Sequence, residues 1–329
     1  MKKVISSVVF LAILIGMIVK ANDIFVDKSR NRYYMLSQEL NKIDDIDIQV
    51  YGSCHAYTSF DAKSFTEEYG ISSYNMSNPG EIMPTTYLRM MERFKRDIPE
   101  VALVEIWGTN AYETYDSTED ILGRFLKSNV EDIPLSIDKL EVIADYETLD
   151  IWEDNFALFK YKSRLLEFSL TENDFNYSFE RAYNMYNTEK EDWLYNEMEN
   201  RFENNGFFSN DSQDISDYAQ KQATVERTDV LEVEADLMKY LDKVIGLCEE
   251  NNVELIFYRA PYISTENELR KKNYLEQYFE ERNIPFYDLE REITYDYTED
   301  FEDYYHLSKK GAAKSTEYLG KKIIDLLYE

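Results

Sequence analysis

Two histidines and two cysteines make up the chain's whole supply of imidazole and thiol: His55, His306, Cys54 and Cys248. His306 stands three residues after Asp303 and just before a helical pattern. In that spacing a carboxylate can orient the ring and steady the imidazolium formed when the ring takes a proton. Cys54 falls in Gly52-Ser53-Cys54-His55, directly after a β-branched run. A thiol ionises at about pH 8.5 when free, and more readily at a helix N-terminus or beside a histidine. Asn75-Met76-Ser77-Asn78-Pro79-Gly80 and Gly108-Thr109-Asn110 offer N–H groups of the kind that hold an oxyanion. A nucleophile, an oriented base and oxyanion donors are the parts acyl transfer requires.

The remaining candidates read as structural. His55 follows Cys54 directly, so its side chain is expected to point away from the thiol, into packing or towards a substrate edge. Ser53 is one residue out of register to attack. Cys248 shares an amphipathic stripe with Leu241, Val244 and Ile245 and reads as core. A Cys54–Cys248 disulfide would remove the nucleophile and is not expected.

The elements that must position these groups alternate in type. An amphipathic helix is expected over 29–42, followed by a strand at Ile46–Tyr51 and a second at Ile71–Met76. Pro84 opens a helix running to about Arg96. Val101–Ile106 is apolar enough for a buried parallel strand. Further strands are expected at Val253–Tyr258 and Ile284–Tyr287, separated by a helix over 264–282, with a closing helix from Lys309 to Leu327. This alternation predicts a doubly wound α/β domain with a mainly parallel sheet in three layers. Binding sites in such sheets lie at the carboxyl ends of the strands, where the first three chemical segments fall. Between about 113 and 235 the alternation stops. That stretch is acidic, rich in Tyr, Phe and Asn, carries Trp152 and Trp193, and reads as one long helical insertion. Its aromatics either build a small core of their own or form a platform for stacking on sugars.

Lys2 and Lys3 precede a charge-free, mainly apolar run of 16 residues from Val4 to Val19. Residues 1–22 are therefore expected to be a signal anchor or a signal peptide, with 23–329 outside the cytoplasmic membrane. The balance of 36 basic against 65 acidic residues, a formal charge of −29, argues against nucleic acid as a partner.

Taken together, the four segments resemble the SGNH (GDSL-like) hydrolases. In that family a turn after the first strand presents the nucleophile, a glycine in the second block and an asparagine in a Gly-x-Asn third block complete the oxyanion hole, and a C-terminal Asp-x-x-His supplies orienter and base. The resemblance covers residues 46–112 and 250–327. It places Cys54 at the nucleophile position, Gly80 and Asn110 in the oxyanion hole, and Asp303 and His306 as orienter and base, followed by the family-like Leu307 and Gly311. Gly80 and Asn110 are 30 residues apart, a spacing typical of the family. The chain departs from the pattern in having Cys54 for Ser, Ser53 for the preceding Asp, and Ala111 for the Asp that often follows the third-block Asn.

The resemblance implies no cofactor and no metal. The Gly-Ser-[Ser/Cys]-His-Ala-Tyr opening looks like that of membrane-anchored, cell-surface members, among them relatives of the D-alanyl-lipoteichoic acid transfer protein and polysaccharide O-acetyltransferases. Two readings follow. One is an exported acyl esterase or O-acyltransferase acting on a surface glycan through a cysteine acyl-enzyme. The other is a catalytically inactive module of the same fold that binds glycan or a membrane-bound acyltransferase. The convergence or separation of Cys54, Asp303 and His306 in space discriminates them.

Overall fold

The computed structural model describes residues 2–25, 32–107, 129–130, 132–145 and 192–328. Five strands form one sheet: β1 (Ile48–Tyr51), β2 (Ser73–Asn75), β3 (Val101–Glu105), β4 (Glu254–Arg259) and β5 (Phe286–Asp288). Their order is β2-β1-β3-β4-β5, and every pairing is parallel. The chain order therefore reverses between β1 and β3, which places the topological switch point there. The expected strands are all present with their ends moved by one or two residues; the run at Ile71–Met76 pairs only over Ser73–Asn75, and β4 and β5 each run one residue further than expected.

Alternation along each strand divides the interior into two layers. Tyr51, Ala102, Val104, Leu255 and Phe257 face one way. There they pack against α5 (Met83–Phe94), α9 (Ala235–Asn251) and α10 (Glu266–Glu280). Ile48, Val50, Val101, Leu103, Ile256 and Tyr258 face the other way, against the residues of α3 (Cys54–Ser59), α4 (Ala62–Tyr69) and α12 (Lys309–Tyr328). Helices on both faces explain why β3 is buried at every residue and reads as a nearly unbroken apolar run. Cys248 lies in the first of these layers, as its stripe predicted.

Local signals set the helix limits. Pro84 lies in the first turn of α5, where a missing N–H costs nothing. Thr265 and Glu268 form a reciprocal capping box at the start of α10. Asp61 caps α4, and Gly70 closes it in the left-handed conformation. The amphipathic stretch near residue 29 folds as α2 (Arg32–Leu40).

Much of the expected insertion lies outside the described residues. Its described parts include α6 (Ile137–Asp145), α7 (Asp192–Glu203) and the short α8 (Tyr218–Lys221). From 204 to 234 the chain is mostly non-helical and folds back onto the α/β domain. Phe208 N–H donates to the Tyr57 carbonyl, and Gln213 and Ile215 N–H to the carbonyls of Phe301 and Tyr297. Arg201, fully buried, donates to the Ser77 carbonyl and lies 4.3 Å over the Tyr57 ring.

The N-terminal helix α1 (Lys2–Phe25) contains, over Lys3–Lys20, the one stretch among the described residues long and apolar enough to cross a membrane. Most of its large apolar side chains between Val4 and Val19 are exposed rather than packed into the domain.

Candidate active site

At the end of β1 the chain turns sharply. Gly52 has φ 135°, and a Cβ there would sit 2.9 Å from that of Glu105, so the turn can press against β3 only with glycine at this position. Ser53 follows as the cap of α3, its Oγ accepting from the His55 N–H at 3.2 Å. The same hydroxyl donates to Glu105 at 3.1 Å and is fully buried. Ser53 is thereby committed beneath the turn, and Cys54, the first residue of α3, is half-buried.

At the base of α12, an isolated bridge between Phe301 and Leu307 ties a tight loop. Asp303 organises this loop from within. Its carboxylate accepts the backbone N–H groups of Tyr305 and His306 at 2.7 and 2.8 Å, and both its oxygens contact His306 Nδ1, at 3.1 and 3.0 Å. Burial pushes the Asp303 carboxyl up, but these partners together hold it below the usual aspartate range. The loop is set against α12 by Gly311, where a Cβ would lie 2.1 Å from the Asp300 carbonyl oxygen.

The two segments meet. Cys54 Sγ and one ring nitrogen each of His55 and His306 lie within 4.8 Å of one another. With His306 Nδ1 on Asp303, Nε2 is the nitrogen left to face the sulfur, and it is buried with no hydrogen-bond partner among the described residues. Burial works against a charge on this ring. Asp303 and the Cys54 sulfur outweigh it and push the imidazolium up to about 11. Cys54, His306 and Asp303 are thus brought together.

The other expected residues fare differently. Gly80 ends the turn after β2 in the left-handed conformation, φ 61°, and its carbonyl accepts from the Asn129 amide at 3.2 Å. Asn110 lies outside the described residues. His55 does not point away from the thiol. Its ring shares the Cys54–His306 cluster, 5.0 Å from the His306 ring and stacked 5.1 Å from Trp107. The α3 turn rotates successive side chains by about 100°, so adjacent residues on it can flank one cleft. Burial, with the charges of His306 and Arg259, drives the His55 imidazolium well below 6.5, the direction opposite to that of His306.

Sequence reasoning missed three features. Glu105 ends β3 fully buried, its carboxyl pushed up to about 8 by burial against the opposing hydrogen bonds of Ser53. Arg259 ends the neighbouring β4, also fully buried, on Asp288, Glu290 and Ser264 at 3.0, 2.8 and 2.7 Å. A charge closing an otherwise apolar strand is the signal that marks both. The third is the end of the insertion. Ser209 donates to the Leu307 carbonyl at 2.7 Å and Asn210 N–H to Glu302 at 2.6 Å, so residues distant in sequence brace the His306 loop.

Among the described residues, two groups of side chains have metal-ligand proximity: Cys54, His55 and His306, and the more acidic Glu302, Asp303 and His306. Among known proteins, no family model matches the chain and no curated protein matches it.

Proposed function

We propose that the chain is an SGNH-like acyl esterase or O-acyltransferase that works through a Cys54 acyl-enzyme on an acylated or acyl-accepting surface glycan. One observation carries this reading. Asp303 holds Nδ1 of His306, and the opposite side of that ring faces the Cys54 sulfur. The 2-1-3-4-5 parallel sheet, with Cys54 at its switch point, is where such folds build their sites.

In this mechanism the proton of the Cys54 thiol already rests on His306, and the thiolate attacks an ester carbonyl. The backbone N–H groups of Cys54 and Gly80 and the Asn110 amide receive the oxyanion. Losing one such donor costs on the order of 10²–10³ in rate. Asp303 keeps the imidazolium oriented until its proton passes to the departing alcohol, leaving a thioester on Cys54. Water or a glycan hydroxyl then gives its proton to His306 and attacks the thioester, expelling the thiolate. Water as acceptor gives an esterase, and a hydroxyl a transferase. The exposed apolar α1 supports anchoring in a membrane with the α/β domain outside the cytoplasm, beside a surface glycan and within reach of a membrane-bound acyltransferase.

The test is incubation of the full chain with an aryl acetate, followed by mass spectrometry. One acetyl group on Cys54, absent from Cys54→Ala and slowed in His306→Ala, is the expected result. A Cys54 that remains unmodified overturns the enzymatic reading in favour of a binding module.

A further inference from the structure

We propose that Cys54, His55 and His306 also form a three-ligand site for a thiophilic divalent cation, Zn²⁺ being the best fit, and that occupancy silences the thiol. One sulfur and two imidazole nitrogens within 4.8 Å of one another are a donor set that suits zinc and discriminates against Mg²⁺ and Ca²⁺. Donors on one tetrahedral zinc stand about 3.3–3.5 Å apart, given Zn–N and Zn–S bonds of about 2.0 and 2.3 Å. Closing the cluster onto a cation therefore takes a change of at most about 1.5 Å in any donor–donor distance, shared between the half-buried Cys54 side chain and the two rings.

Independent observations point to a ligand here. His55 is 2% exposed, and its Nδ1 is buried without a hydrogen-bond partner among the described residues. His306 Nε2 is likewise buried, with the Cys54 sulfur as the group it faces. Buried polar atoms without partners are disfavoured, and cation binding turns such nitrogens into ligands. The remaining nitrogen of His306 rests on the Asp303 carboxylate, the outer-shell contact that typically orients metal-bound histidines. Trp107 and Tyr262 hold the His55 ring between them, at 5.1 and 5.2 Å, so the ring is fixed before any cation arrives. The half exposure of Cys54 leaves an entry path and an open fourth position.

Binding needs the thiolate sulfur and a neutral His306 Nε2, so the one proton that Cys54 and His306 share is released to solvent. A sulfur lone pair held by the cation cannot attack an acyl carbon, so the cation acts as a reversible inhibitor. That consequence rests on the acyl-enzyme reading; the binding itself does not.

The experiment titrates Co²⁺ into the full chain in detergent after chelator treatment, reading absorbance. The expected result is a thiolate-to-cobalt charge-transfer band in the near ultraviolet with visible bands of a four-coordinate ion, saturating at one ion per chain and displaced by Zn²⁺. Cys54→Ala should abolish the charge-transfer band, and His306→Asn should weaken binding at least about tenfold. His306→Asn is the second variant because His55→Gln disturbs packing under Trp107. No charge-transfer band, or one that survives Cys54→Ala, overturns the proposal. Acetylation of Cys54 without the band removes the cation site and leaves the acyl-enzyme reading standing; the band without acetylation does the reverse.

Discussion

Ser53 donates a hydrogen bond to Glu105 across 3.1 Å, linking the turn that carries Cys54 to the end of the neighbouring strand. Glu105 is fully buried, and burial pushes its carboxyl from 4.5 up to about 8. A carboxyl whose folded pKa is raised binds more protons folded than unfolded between those values. Its effect is therefore to make stability fall as pH rises from about 4.5 to about 8. Glu105→Gln, which cannot ionise, should flatten that part of the stability profile. Urea unfolding midpoints at a series of pH values would show it; an unchanged slope would contradict the assignment.

The His55 and His306 rings, 5.0 Å apart, should titrate in opposite directions from the usual histidine range, His55 below it and His306 above. In chelator-treated protein, histidine-labelled NMR should show His55 neutral at pH 7 and His306 cationic until about pH 11. The stability that the raised His306 value contributes is complete below 6.5 and lost as pH rises through about 11. Asp303→Asn should lower the His306 midpoint, and so should Cys54→Ala. A His306 midpoint unmoved by both variants would show that neither group acts on the ring.

The two thiols should differ sharply in reactivity. Burial pushes the Cys248 thiol up to about 12, whereas Cys54 is half-buried beside His306. At pH 7 iodoacetamide should label Cys54 and spare Cys248, as peptide mapping would reveal. His306→Ala should slow the labelling of Cys54 about tenfold or more, because the thiolate loses its cationic partner. Equal labelling of both cysteines would refute this difference in setting.

Arg259 binds Asp288 and Glu290 from a fully buried position, and Lys272 reaches the other Asp288 oxygen at 3.0 Å. Burial raises the Asp288 pKa, but the two cations hold it below 3.8. A depressed carboxyl stabilises the fold above 3.8 and loses that contribution as pH falls through its folded value. Arg259→Ala strands the carboxylate with one cation and should cost about 3–5 kcal/mol in chemical denaturation, with acid unfolding moved to higher pH. A loss below about 1 kcal/mol would mean that Lys272 suffices.

The exposed apolar helix α1 should hold the chain in a membrane. A protease applied to intact cells should remove the α/β domain, and deleting residues 2–22 should release it into a soluble fraction. Full protection in intact cells would place the domain on the cytoplasmic side.

Much of the fold was legible because local chemistry set it. The strand runs, Pro84 and the helix patterns acted through neighbours in sequence, and each element formed close to its expected place. The contraction of 71–76 to Ser73–Asn75 could not be read, because pairing length at a sheet edge depends on β1. Asp303 and His306 were legible for the same reason as the helices: their contact spans three residues within one loop. Whether that loop met Cys54 was a tertiary matter, settled by packing α3 and α12 on one face of the sheet.

The sequence by itself determined an α/β alternation, an apolar N-terminal helix, and the identities of the nucleophile, base and orienter candidates. Only the tertiary structure decided the roles of Glu105 and Arg259, since a buried charge takes its partners from other strands and loops. It also decided that His55 joins the thiol rather than avoiding it. A helical turn places neighbouring side chains about 100° apart, and the wall that meets them is built by Trp107, Tyr262 and His306. The bracing of the His306 loop by Ser209 and Asn210 was invisible for a related reason. Contacts across roughly 90 or more residues depend on how the chain returns, and no local spacing encodes that path.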